Sequence, residues 1–339
     1  MNTTRVMERL RSVGLSPAML IFFAALAILP LFIQDEYILR LLVVSMLLGS
    51  QAMAFDFTAG FIDIINFGFA AFLGVGAYTS ALMVINFNVP YWVGFLAAAI
   101  SAGLLGFLIG LLTLRLRGIF AACMTWFLGL ALMTLIAINV KITRGNLGLP
   151  VPYLLDTTSS LPYFYLLLIL AIFIYAILSG VARSYIGLAF KAIGQNIEAA
   201  QASGINPLQY RVLNFTISCA LAGLLGAFYA HYIGVLTSRV LGTGHTTEVL
   251  ALSFIGGRGS IWGGFVAALL IVPGFEYVKK LEAIRWVIYG LLLISVMVFY
   301  PLGIAGAVQS LWSFIKKRMG KASPEESVDA AETEYPTLQ

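Results

Sequence analysis

Long runs of apolar residues alternate along this chain with short polar breaks. Crossing a hydrocarbon core of roughly 30 Å takes about 20 helical residues, and several runs are long enough. The pattern predicts crossings at about 17–33, 38–55, 67–87, 91–114, 119–140, 162–181, 212–235, 246–257, 261–278 and 285–300. The eighth is too short to span as a regular helix. It reads as a half-helix that turns at Gly256-Gly257-Arg258-Gly259-Ser260. Ten crossings follow if it reaches the far side, and nine if it does not. The fold class is all-α: a polytopic transmembrane helix bundle.

Composition agrees with that reading. Hydrophobic residues make up 60% of the 339 and charged residues 10%, whereas a soluble domain carries about 25% charged residues. Ionisable side chains in hydrocarbon cost several kcal/mol each, which accounts for the deficit. The net charge of +5 does not point to nucleic acid, because Lys and Arg sit mostly at the ends of apolar runs, where topology and headgroups use them. With the N-terminus in the cytosol, only Arg40, Lys141, Arg144, Arg239, Lys279, Lys280 and Arg285 fall outside, the sense of the positive-inside rule. If the eighth segment did not cross, Lys279 to Arg285 would move inside and Lys316 to Arg318 outside. The basic start, with Arg5, Arg9 and Arg11, resembles a signal peptide, but bulky Pro30 to Gln34 offers no cleavage site, and a retained first helix is expected.

Three regions follow. Residues 1–16 are read as a cytosolic tail. Residues 17–306 form one transmembrane domain with a cytosolic loop at 182–211, and residues 307–339, acidic and poor in large apolar side chains, form a cytosolic tail expected to be disordered. Cys123 and Cys219 lie in apolar runs and are expected to be inert. His231 and His245 are too isolated to suggest a metal site. The glycine-rich Gly256–Ser260 turn lacks the Lys-Ser/Thr ending of a phosphate-binding loop.

The polar break KAIGQNIEAAQASGINPLQYR, 191–211, stands out in an otherwise lipid-soluble chain. Read as one helix over 188–203, it puts Leu188, Ala192, Ile193, Ile197 and Ala200 on a narrow apolar stripe, too short and polar to cross and suited to an interface. Gly204 is placed to end that helix in a left-handed conformation. Asn206 then caps the next helix, with Pro207 in its first turn. Helix, tight turn and helix follow at the cytosolic surface. Spacing alone leaves two readings open: a docking corner, with Glu198 as a directional charge, or a solvated link between spans.

The ordered series GLAFKAIGQNIEAAQASGIN, FTISCALAGLLGAFYAHYIG, LALSFIGGRGSIWGGFVAALL and Tyr300-Pro301-Leu302-Gly303, with INFGFAAFLGVGAYTSALM at 65–83, resembles the permease subunits of bacterial branched-chain amino acid ABC importers. The similarity runs over about 41–306 and best fits the longer of the two permease partners. The resemblance implies an element that docks on an ATPase, carried here by Gly194, Glu198, Ala199, Ala200 and Gly204. It also implies the partners: a second permease, two cytosolic ATPases that hold ATP and Mg, and an extracytoplasmic solute-binding protein. The chain would lie in a bacterial inner membrane, perform no covalent chemistry and need no cofactor of its own. Branched-chain amino acids are the family's default substrate, with urea, amides and other small organic solutes as alternatives.

Candidates for the translocation path are Asp63, Asn66, Gly68, Phe69, Gly74 and Gly76. Asp56, Asp63 and Asn66 interrupt an apolar region, which is tolerated only against protein or water. They mark either a broken helix lining the path or a short turn between spans. Gly68, Gly74 and Gly76 suit close helix packing or a pore wall. Related permeases often carry His or Gln where this chain has Phe69, so a polar side chain is missing there. An ion-coupled secondary carrier is the main rival, but beyond Asp56 and Asp63 no candidate coupling carboxylate is evident in the spans.

Overall fold

The computed structural model describes residues 17–306, apart from 34, 114, 115, 117, 156, 158, 279–289, 292, 293 and 296–302. Both tails, and nearly all of the expected tenth crossing, lie outside the described residues. Among the described residues, six helices are long and apolar enough to span a membrane: α2 (Glu36–Ala59), α3 (Phe69–Phe87), α4 (Tyr91–Thr113), α5 (Ile119–Ile138), α7 (Leu161–Arg183) and α10 (Pro207–Ile233). Shorter helices are α1 (Pro17–Phe32), α6 (Val140–Thr143), α8 (Tyr185–Gln195), α9 (Ile197–Ala202), α11 (Thr243–Gly256) and α12 (Gly263–Val278). Hydroxyls buried in α2 return their protons to the helix backbone, Ser50 to Met46 O at 2.8 Å and Thr58 to Phe55 O at 2.8 Å. These two hydroxyls thereby sit at membrane depth without an unmet donor.

Helix α10 is the axis of the bundle and packs on α2, α3 and α4. Lipid offers little hydrophobic drive between helices, so close approach through small residues does the joining. A Cβ on Gly76 would lie 2.4 Å from Gly223 Cα, and one on Gly226 would lie 2.0 Å from Leu73 O. Large apolar side chains such as Leu96, Ile100, Leu104, Phe127 and Leu135 are exposed along α4 and α5, as on a lipid-facing or partner-facing surface.

The two ends of the bundle differ. One carries α8 and α9. The other carries Tyr91 against His231 at 5.1 Å, and a two-residue antiparallel ribbon of β1 (Leu149–Pro150) and β2 (Val235–Leu236). His231 is fully buried and bonds Ser80 at 3.0 Å and Pro152 O at 2.8 Å, a packing histidine.

The eighth segment connects these ends. Val235 pairs with Pro150 at the ribbon end, whereas Gly259 abuts Gly60 near the α8 end. The chain therefore traverses as a short extended and 3-10 stretch followed by the 14 residues of α11. The extended stretch makes up the length that α11 lacks. Gly257, at φ +109, turns the chain as expected, and α12 returns antiparallel to α2 with Phe265 against Gly49.

Candidate functional site

Helix α7 ends where Ser184 turns extended, at φ −78 and ψ 170, which redirects the chain into α8. Helix α8 is amphipathic. Gly187, Ala189, Phe190 and Ile193 are buried, while Tyr185, Leu188 and Lys191 are exposed. The single helix expected over 188–203 is not found: Asn196 breaks it with an extended backbone, φ −155 and ψ 110. Its side chain explains the break, because Asn196 Oδ1 accepts from Glu198 N at 2.9 Å and Ala199 N at 3.0 Å. An asparagine able to satisfy two amides of a new helix competes with continuing the old one. The apolar stripe shifts accordingly, and Leu188 lies outside it.

The far side of the elbow matches expectation. Gly204 adopts φ +83, Gly204 N donates to Gln201 O at 2.9 Å, and Ile205 N donates to Ala200 O at 3.0 Å. Together these two bonds make a Schellman ending of α9. Asn206 Oδ1 then accepts from Leu208 N at 3.1 Å, with Pro207 in the first turn of α10. Of the residues singled out here, Glu198, Ala199 and Gly204 face outward, whereas Ala200 is buried.

Gly194 also faces inward. It rests on the connector 60–68 that links α2 to α3: its Cβ position is 2.4 Å from Phe61 O. Phe190 meets Phe57 edge-on at 5.6 Å, and Lys191 Nζ lies 5.6 Å from the Phe61 ring centroid. Helix α8 is thus seated on the last turn of α2 and the start of the connector.

The connector is tied to the glycine turn after α11. Arg258 donates to Ala59 O at 2.9 Å and to the Asp63 carboxylate. Asp56 Oδ1 accepts from Gly259 N at 3.1 Å and from Ser253 Oγ at 3.2 Å. Further along, Thr246 Oγ1 accepts from Ala70 N at 3.1 Å, and His245 Nε2 sits 2.7 Å from Gln51 Oε1. Asp63 stands at φ +57, a left-handed conformation that aspartate tolerates better than most residues.

The candidate path residues divide into two groups. Asp63, Asn66, Gly68 and Phe69 belong to the connector or its exit. Asp63 is exposed, Asn66 is buried and bonds Gly68 N at 3.1 Å, and Phe69 is buried edge-on to Phe55 at 5.5 Å. A Cβ on Gly68 would lie 2.2 Å from Thr125 O. Gly74 lies against Leu241 and Gly76 against Gly223, so both serve packing within this chain. Sequence reasoning missed Arg258, Phe57 and Phe61 as parts of the site. The arginine amid glycines was the available signal.

A family model described as branched-chain amino acid transport system / permease component matches residues 37–299. The high-affinity branched-chain amino acid transport system permease protein LivM of Escherichia coli is 26% identical over 280 residues, covering 74% of this chain and 66% of that protein. Its namesake in Salmonella typhimurium is 25% identical over 303 residues, covering 81% and 71%. The autoinducer 2 import system permease protein LsrC of Yersinia enterocolitica is 28% identical over 251 residues, covering 71% and 61%. The chain thus spans about two thirds of the length of the relatives it matches. No solved structure matches it.

Proposed function

The chain belongs to the family of branched-chain amino acid transport system permease components, and on that footing we propose that it is the membrane-spanning subunit of an ATP-driven importer in a bacterial inner membrane. It works beside a second permease, two cytosolic ATPases carrying ATP and Mg, and an extracytoplasmic solute-binding protein. Both tails would then face the cytosol, as would the α8 end of the bundle. The cargo is a small polar organic solute. Branched-chain or related amino acids are favoured by the similarity to LivM, and the similarity to LsrC keeps the wider class in view.

The observation that carries this reading is the build of the elbow. Its outer side presents Glu198, Ala199 and Gly204 on a capped helix of six residues, and its inner side, Phe190 and Gly194, is seated on the connector. A push on the outer side reaches Phe57 and Phe61, and through Arg258 and Gly259 it reaches the turn between α11 and α12. ATP-driven closure of the partner subunits would act on this lever and alternate the path between outward and inward access. Such a shift is bounded by the partner's differential affinity for the two states.

The test is reconstitution. The assembled complex in vesicles should accumulate solute only with ATP and the binding protein present. Accumulation by this chain alone, driven by a proton or sodium gradient, would replace this reading with that of a secondary carrier.

A further inference from the structure

The importer reading leaves open where solute first meets this subunit. Resting on that reading, we infer that the end of the bundle opposite α8 carries a receiving site for a small zwitterion with an apolar body. A cavity of about 650 Å³ opens there between α2, α7, α10 and the segment before α7, lined by Arg40, Val44, Tyr153, Leu155, Tyr163 and Tyr232 among others. Its size falls in the range of small-molecule sites, about 300–1,000 Å³.

The lining has two chemistries. Arg40 offers a planar fork of donors that matches a carboxylate. The tyrosine rings, Val44 and Leu155 offer apolar surface for an aliphatic side chain. Glu36 lies four residues from Arg40, a neighbour on the same helix face. Its charge, beside the lining, disfavours a dianion such as phosphate, while an ammonium would meet the faces of the lining tyrosine rings.

The wall is built before any solute arrives. Glu36 accepts from Ser159 Oγ at 2.8 Å and from Ser160 N at 3.0 Å, pinning the segment to α2. The Tyr163 hydroxyl bonds both Leu155 N and Leu155 O at 3.1 Å, and the Tyr163 and Tyr232 rings meet edge-on at 5.2 Å. A preformed wall lowers the ordering cost of binding.

The experiment uses intact cells with the complete transporter and an impermeant thiol reagent. Thr157→Cys, on the cavity wall, is the reporter, with Tyr153→Cys as a second. L-leucine should slow labelling by about threefold at two-thirds occupancy. 3-Methylbutylamine, which lacks the carboxylate, and inorganic phosphate should not slow it. Arg40→Gln should remove the protection, and Lys141→Gln, which alters an exposed charge outside the cavity lining, should keep it. Equal rates with every probe, protection that survives Arg40→Gln, protection by phosphate, or a failure of both reporters to label even in opened membranes would each overturn the site. ATP-driven uptake, read in the same cells, tests the importer reading separately. Labelling confined to opened membranes would sink the orientation on which the site depends.

Discussion

Gly194 of α8 rests directly on the backbone of Phe61: a Cβ built on the glycine would stand 2.4 Å from the Phe61 carbonyl oxygen and 3.4 Å from Ile62 Cα. No side chain fits between the two segments. Main chain on main chain is a stiff contact, because neither partner has a rotamer through which to yield. The surface elbow and the connector at the end of α2 are therefore in direct main-chain contact.

Gly194→Val should separate docking from transmission. Overpacking a tight contact costs about 1–3 kcal/mol, and here it lifts α8 off Phe61 while leaving Glu198 and Ala199 on the outer side. Co-purification with the ATPases should persist, and uptake should fall by about tenfold or more, as 1.4 kcal/mol in a coupling equilibrium would produce. Pull-down and vesicle uptake on the same preparation check both halves. Normal uptake would show that this contact transmits nothing.

The two ends of α9 predict graded local effects. Gly204 has φ +83 and open space around its Cβ position, so Gly204→Ala brings conformational strain without a clash, about 1–2 kcal/mol. Gly204→Asn should cost less. Asn196→Ala removes the acceptor for two amides and should cost about 1 kcal/mol, while Asn196→Asp keeps it. Hydrogen exchange over 197–204 is the readout: exchange should rise several-fold in both alanine variants and little in the conservative ones.

Much of the elbow was legible in the sequence because its signals are local. A polar break in an apolar chain marks the surface, and Gly204, Asn206 and Pro207 each act on a neighbour within a few residues. The break at Asn196 was hidden by the same local chemistry, since a mid-helix asparagine and a capping asparagine look alike until tertiary packing chooses. Arg258 was out of reach for another reason. Its partner Asp63 is 195 positions away, and only the antiparallel return of α12 along α2 brings the glycine turn beside the connector. The eighth segment fell between these cases. Its shortness was plain, but whether the extended residues before it completed the crossing depended on β2 pairing with β1.

Glu198→Lys tests the outward surface. Glu198 is exposed and lies in the first turn of α9, so reversing its charge should leave insertion and thermal stability nearly unchanged, as surface substitutions usually do within about 0.5 kcal/mol. Both ATPase co-purification and uptake should fall, which distinguishes this variant from Gly194→Val. Gln201→Cys, exposed beside it, should label only from the cytosolic side. Labelling from outside would invert the topology.

Asp63 allows backbone and charge to be tested apart. The ion pair with Arg258 is partly solvated, with side-chain exposures of 39% for Arg258 and 64% for Asp63, and exposed pairs contribute about 0–1 kcal/mol. The left-handed backbone at Asp63, φ +57, should matter more, because a β-branched residue there costs about 1–2 kcal/mol. Asp63→Asn keeps the tolerance for that conformation, and Arg258 keeps its bond to Ala59 O at 2.9 Å. The expected order of damage is therefore Asp63→Asn close to Asp63→Gly, with Asp63→Val clearly worse, in both thermal stability and uptake. Raising the salt concentration should narrow the gap between wild type and Asp63→Asn, since screening weakens the pair that only the wild type has. It should leave the gap between Asp63→Asn and Asp63→Val in place, because screening does not relieve a strained dihedral angle. Equal damage from Asn and Val would assign the connector's role to the charge instead of the turn.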